Sequence, residues 1–197
     1  HVLYILSEKL NSGEIENIIG VPTSEKTFTL AEELNIPCGT LSEYPVLDLT
    51  IDGADEVDSE LNLIKGGGGA LLREKIIAQA SKKYIIIVDE SKLSDNIGEK
   101  WAVPVEVIKM ALEVETNFLR SLGAEVQHRK NKNGDPFITD EGNYIIDANF
   151  GVINNPDELA QKLNGRAGIV EHGLFIGLAD LVITATQKGV QDIAKGT

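Results

Sequence analysis

Hydrophobic positions along the chain follow one rhythm up to Trp101 and another beyond it. Val2, Leu3, Ile5, Leu6 and Leu10 recur at helical spacing, and Gly13 is a stop, so residues 2–12 read as a helix. "IENIIGV" (15–21) reads as a strand ended by Pro22. "TSEKTFTLAEEL" (23–34) reads as a helix with Thr23 and Ser24 as candidate N-caps. "PVLDLTID" (45–52) sets Leu47, Leu49 and Ile51 against Asp48, Thr50 and Asp52, a strand period, and "LNLIK" (61–65) reads as a short strand. Leu71, Leu72, Lys75, Ile76 and Gln79 predict a helix over 70–83, closed by basic residues as the helix dipole favours. "YIIIVDE" (84–90) is an unbroken apolar run, which predicts a strand buried on both faces. Strand and helix thus alternate, the pattern of a mostly parallel α/β sheet.

After Trp101, "AVPVEVI" (102–108) predicts a strand and 111–122 a helix. "GAEVQHRK" leads into a turn at "NKNGD", and "PFITD", "EGN" and "YIIDANF" predict a second turn with flanking strands. "NPDELAQKLNG" (155–165) has an Asn-Pro helix start and a glycine stop, and "AGIVEHGLF" reads as a strand pair. The tail, 178–190, predicts a strand that returns to the first sheet. These elements divide into an α/β domain over 1–102 and 176–197 and a smaller α+β domain with antiparallel strands over 103–175.

Composition narrows the function more than the fold. The formal net charge is −13 over 197 residues, which argues against a nucleic-acid partner but leaves room for a small phosphorylated ligand needing only a few local donors. One cysteine, Cys38, precludes an internal disulfide, and the default expectation is a cytoplasmic address. No apolar run is long enough for a membrane helix. A chain that opens on His1, inside a helix pattern, reads as one preceded by further residues.

Three clusters follow predicted strands, where open α/β sheets bind ligands. In "DGADEVD", Asp52 and Asp55 flank Gly53 and Ala54, either as an acidic surface turn or as a carboxylate pair holding sugar hydroxyls. In "IKGGGGALLREK", Lys65 precedes four glycines, the reverse of a Walker loop. Gly66, Gly67 and Gly68 either form a flexible link or bring backbone amides to an anionic ligand. Glu74 is either an acid placed by the helix dipole or a general base facing that loop. Lys92, in "DESKL", is a solvated lysine or a binder of phosphate or oxyanion. His172, in "VEHG", is a further candidate or a structural histidine, while Cys38 and His128 lack sequence partners for a nucleophile or metal site.

Taken in order, "IDGADEVD", "NLIKGGGGALLREK", "VDESKL", "PVEV", "TDEGNYIID" and "VEHGLF" resemble ribose-5-phosphate isomerases of the A type over most of the chain. The resemblance implies a Rossmann-like catalytic domain and the interconversion of ribose 5-phosphate and ribulose 5-phosphate, without metal or organic cofactor. It implies that Glu74 moves a proton between C2 and C1 through an enediolate. Asp52 and Asp55 would line the sugar and assist ring opening or proton transfer between O1 and O2. Lys65 and Gly66 to Gly68 would hold the ligand, Gly53 and Ala54 would line it, and Lys92 would bind substrate. A homodimer or homotetramer is also implied. The family's glycine-threonine-serine phosphate loop would fall just before His1. The competing readings are a non-catalytic sugar-phosphate sensor and a coenzyme A transferase of related fold, whose glutamate would be a nucleophile.

Overall fold

The computed structural model describes residues 2–194; His1 and 195–197, the ends of the expected α/β domain, lie outside them. It comprises two compact units, residues 1–47 and 48–197.

The first unit carries α1 (Val2–Asn11) and α2 (Glu25–Glu33). Ser24 caps α2 by accepting the Thr27 amide at 3.1 Å. Gly13, at φ 74°, lets the chain leave α1 in the left-handed region. The strand expected over 15–21 is absent: Asn17 turns left-handed at φ 59°, and only Gly20 makes a β-bridge, to Cys38.

The second unit holds three sheets. β1 (Thr50–Asp52), β4 (Tyr84–Asp89) and β10 (Leu181–Thr186) are parallel in the order β1-β4-β10, and β11 (Gly189–Ala194) closes the edge antiparallel. β2 (Glu56–Val57), β3 (Leu63–Ile64) and β9 (Leu174–Phe175) form a small antiparallel sheet. β6 (Glu125–His128), β7 (Tyr144–Asn149), β5 (Val103–Val107) and β8 (Ile169–His172) form a second, in that order. The helices are α3 (Leu71–Gln79), α4 (Leu112–Ser121) and α5 (Pro156–Asn164). The α/β class, a parallel-containing sheet beside antiparallel strands, is the observed one.

Two apolar cores follow from these layers. Tyr84, Ile86 and Val88 of β4 pack with Val182, Val57, Leu63, Phe175 and Ala78, joining the parallel sheet, the small sheet and α3. Val103, Val105 and Val107 of β5 pack with Ile146, Ala148, Leu119 and Leu163, joining the larger antiparallel sheet to α4 and α5.

Several elements differ from their sequence patterns. The strand expected over 45–52 pairs only at Thr50–Asp52, where β4 supplies a ladder. β4 is not buried on both faces: its residues alternate, and Ile87 is 40% exposed. The helix expected over 70–83 ends at Gln79 with Ala80 as its cap, because Ser81 turns to bond the Ile77 carbonyl and the Lys83 carbonyl joins Thr50. Lys82 and Lys83 therefore lie beyond its last turn. "PFITD" makes a bridge at Pro136 rather than a strand. "AGIVEHGLF" is not a strand pair; β8 and β9 belong to different sheets, and Gly173 is the switch between them. There the Gly173 amide bonds the Pro104 carbonyl while its own carbonyl accepts the Lys65 amide.

Candidate active site

Lys65 is the centre of the site. It follows β3, its side chain is almost fully buried, and its backbone is fixed by Gly173. The ammonium donates to the Gly53 carbonyl at 2.6 Å and lies 2.8 Å from Asp52 Oδ2. Glu74 Oε2 is 3.4 Å away, and the Phe175 ring lies at 5.6 Å. A strongly hydrated cation is costly to bury alone. The adjacent acids overcome that cost and raise the Lys65 pKa, Asp52 contributing most and Glu74 next, so it stays charged.

Asp52 ends β1. Its Oδ2 also accepts the Tyr84 hydroxyl at 3.2 Å, and its Oδ1 accepts the Gly53 amide. Burial, with Asp52 and Glu74 nearby, pushes the Tyr84 hydroxyl far up, so it remains a donor. Asp55 is held differently: its Oδ2 accepts the Gly67 amide at 2.7 Å. The turn thus aims two carboxylates at one region through separate partners, with Gly53 and Ala54 between them.

The glycines have distinct reasons. Gly66 and Gly69 sit at φ 94° and 89°, where side-chained residues are strained. A Cβ on Gly67 would lie 2.6 Å from Asp55 Oδ1, so only glycine lets that carboxylate approach its amide. At Gly68 no atom beyond its chain neighbours lies within 4 Å of a Cβ position, and the residue is exposed. The Gly69 amide returns to the Gly66 carbonyl, so the loop is a built turn rather than a slack link.

Glu74 sits in the first turn of α3. Its Oε2 is buried and has no hydrogen-bond partner among the described residues; Lys65, at 3.4 Å, supplies charge without a well-formed hydrogen bond. Burial raises the Glu74 pKa, Lys65 opposes this, and Asp52 adds to it; the net direction is upward. Desolvation is the larger effect, as expected for a carboxylate in this position.

The structure thus brings Asp52, Asp55, Lys65, Gly66, Gly67 and Glu74 together. Lys92 lies in a short helical turn after β4, with its ammonium 5.1 Å from the Trp101 ring centroid. His172 is drawn into another group. Its Nδ1 accepts the Leu174 amide, its Nε2 meets Asn164, and Lys75 bonds its carbonyl. Burial and the Lys75 charge push the His172 pKa down to about 3, so it is a neutral packing residue. Cys38 Sγ bonds the Ile36 carbonyl, and His128 bonds Thr116. Among the described residues no group of three or more acidic, histidine or cysteine side chains is arranged to hold a metal ion.

Three participants escaped the sequence reading. Tyr84 was hidden in an apolar run, although its hydroxyl was the one polar group there. Gly173 had no local signal, since its role is to let two sheets touch. Arg129 lay in a basic turn segment, yet its Nη1 donates to the Gly66 carbonyl at 2.7 Å.

Two acids, a buried lysine and a glycine loop gathered at strand ends of an α/β fold, with a third acid largely buried beside them, form a site of the enzyme class. The family model for ribose 5-phosphate isomerase A (phosphoriboisomerase A) matches residues 19–189. Ribose-5-phosphate isomerase A of Desulfatibacillum aliphaticivorans is 50% identical over 191 residues, covering 97% of this chain and 83% of the relative. That of Chloroflexus aurantiacus is 52% identical over 189 residues, covering 96% and 79%. A solved D-ribose-5-phosphate isomerase in complex with phospho-erythronic acid superposes with a TM-score of 0.95 at 44% identity, covering 98% of this chain and 84% of that one. The Plasmodium falciparum ribose 5-phosphate isomerase gives 0.95 at 38% identity, covering 100% and 86%. The chain belongs to the ribose 5-phosphate isomerase A family.

Proposed function

We propose that this protein, whose relatives carry the name ribose-5-phosphate isomerase A, interconverts D-ribose 5-phosphate and D-ribulose 5-phosphate, with Glu74 as the proton carrier. The observation that carries the mechanism is the setting of the Glu74 carboxylate: one oxygen is buried 3.4 Å from the Lys65 ammonium with no hydrogen-bond partner among the described residues, while the side chain stays 17% exposed, leaving the group open on one side to a substrate proton.

From aldose to ketose, the Glu74 carboxylate takes the proton from C2. The C2–H electrons become the C1=C2 bond of an enediolate, and the negative charge settles on O1. Glu74 returns the proton to C1, and the O2 proton passes to O1, leaving the ketone at C2. Asp52 and Asp55 receive and return protons at the oxygens and assist ring opening. Lys65 and the Gly66 to Gly68 loop, through amides that Asp55 does not take, offset the oxyanion, and Gly53 and Ala54 line the sugar. Lys92, one turn beyond β4, binds the substrate's anionic end. The sequence is redox-neutral within the substrate, so proton transfers alone balance it. The protein acts in the cytoplasm as a homodimer or homotetramer in this reading. Among the described residues no helix is long and apolar enough to cross a membrane.

Turnover of ribulose 5-phosphate in deuterated water tests the chemistry. Transfer through Glu74 places solvent deuterium at C2 of the ribose 5-phosphate formed. A product still free of deuterium after prolonged equilibration, when even rare exchange of the Glu74 proton with solvent would have accumulated label, would point to direct hydride shift and reject the carboxylate route.

A further inference from the structure

The glycine loop is gripped from outside by a residue that none of the chemistry above uses. Arg129 follows β6, and its side chain is 13% exposed. Its Nε donates to Asp147 Oδ2 at 3.0 Å, and its Nη2 bonds Asp147 Oδ1. An arginine–aspartate pair between neighbouring strands is ordinary by itself. Here the remaining nitrogen leaves the sheet: Nη1 donates to the Gly66 carbonyl at 2.7 Å and to the Gly67 carbonyl at 3.1 Å. Phe137, whose amide bonds the Arg129 carbonyl, fills the space where a Gly69 Cβ would stand, at 2.5 Å. The guanidinium lies 5.9 Å from that ring. One turn segment therefore holds both ends of the loop.

Peptide geometry turns this grip into an orientation. In a trans peptide the C=O and the following N–H point in opposite directions. With the Gly66 carbonyl on Arg129, the Gly67 N–H must face away, and it does, onto Asp55 Oδ2. With the Gly67 carbonyl on the same nitrogen, the Gly68 N–H faces away too, on the exposed side of the loop where no Cβ contact exists. A cation on a carbonyl oxygen also polarises the peptide, strengthening its N–H as a donor. Lysine could not substitute, since only a planar fork bonds a carboxylate with two nitrogens and two carbonyls with a third.

We propose that Arg129, anchored by Asp147, is a positioning residue of the isomerase: it fixes Asp55 through the Gly67 amide and aims the Gly68 amide at the oxygen that becomes negative. This rests on the enediolate reading above. Its specific consequence is a preference for charge at the reacting end of the ligand, not for the phosphate.

The experiment compares Arg129→Met and Arg129→Lys with the parent, using phospho-erythronate, whose carboxylate presents two adjacent anionic oxygens, and ribitol 5-phosphate, which carries a neutral alcohol there. Calorimetric affinity for phospho-erythronate is expected to fall roughly tenfold in both variants, while ribitol 5-phosphate changes less than about twofold. For ribose 5-phosphate kcat is expected to fall by about one to two orders of magnitude, below the effect of deleting a direct donor, with KM nearly unchanged. Equal weakening of both ligands, or full turnover in folded variants, would overturn the proposal in favour of a purely structural pair. If Arg129→Met does not fold, Asp147→Asn carries the same comparison, because it keeps the guanidinium and loosens only its anchor. A parent that binds both ligands but lacks isomerase activity would reject the enediolate reading while leaving the ligand comparison able to judge Arg129.

Discussion

Glu74 is poised by its surroundings rather than by its position in sequence. Its folded-state pKa is raised above the ordinary 4.5, chiefly by burial. The acid limb of kcat/KM is therefore expected above pH 4.5, and a pH–rate profile of the parent checks it; a limb below 4.5 would contradict the desolvated setting. The same shift has a stability sign. A group whose pKa rises on folding favours the folded state below its unfolded pKa, and that contribution is lost as pH climbs through the folded value. In its ionised form Glu74 thus works against folding. The loop glycines make a second, steric prediction. Gly67→Ala must displace Asp55, whose Oδ1 would lie 2.6 Å from the new Cβ, and is expected to cost about 1–3 kcal/mol in urea unfolding. Gly68→Ala meets open space and is expected to stay within about 0.5 kcal/mol of the parent, as surface substitutions usually do. Sequence displayed Asp52, Asp55, Lys65 and Glu74 because acids and glycines beside strands are unusual company. It could not display Arg129, which looks like any basic turn residue until Asp147 and the loop carbonyls surround it.

Among the elements, Gly173 shows why some of the fold was not legible. The pattern of "AGIVEHGLF" shows two extended runs, and both exist, but pairing is decided by partners distant in sequence. β8 finds β5, β9 finds β3, and the residue between them must fit against the Lys65 and Pro104 backbones. A Cβ there would stand 2.3 Å from the Lys65 carbonyl and 2.6 Å from Pro104 Cδ. Gly173→Ala is expected to destabilise by about 1–3 kcal/mol or more and to lower kcat by moving Lys65; a thermal melt and a rate assay on the folded fraction check both. The helix expected over 70–83 failed at its C-terminus for a related reason. Its polar residues continue the period, but Lys83 gives its carbonyl to Thr50 of the parallel sheet. The strand over 15–21 had the apolar content and lacked the partner, as its single bridge shows.

At the scale of the molecule, charge matters more than any one pair. The chain carries 31 acidic and 18 Lys and Arg residues, and a net charge of −13 opposes compaction through self-repulsion. Raising sodium chloride from about 20 to 200 mM shortens the screening length and is expected to raise Tm at pH 7, read by differential scanning calorimetry. A falling Tm would mean that attractive pairs dominate. The parallel-sheet class and the returning C-terminal strand were legible because β4 and β10 are long apolar runs; the two antiparallel sheets were legible only as extended segments, since their order depends on long-range pairing. The central claim, that one dry carboxylate carries the proton, is tested most directly by Glu74→Gln. The substitution keeps the shape and removes the base, and the stability argument predicts a folded protein at pH 7 at least as resistant to urea as the parent. With EDTA present, ribose 5-phosphate should still bind while kcat falls by about three orders of magnitude or more. A folded Glu74→Gln protein that turns over near the parental rate would contradict the account.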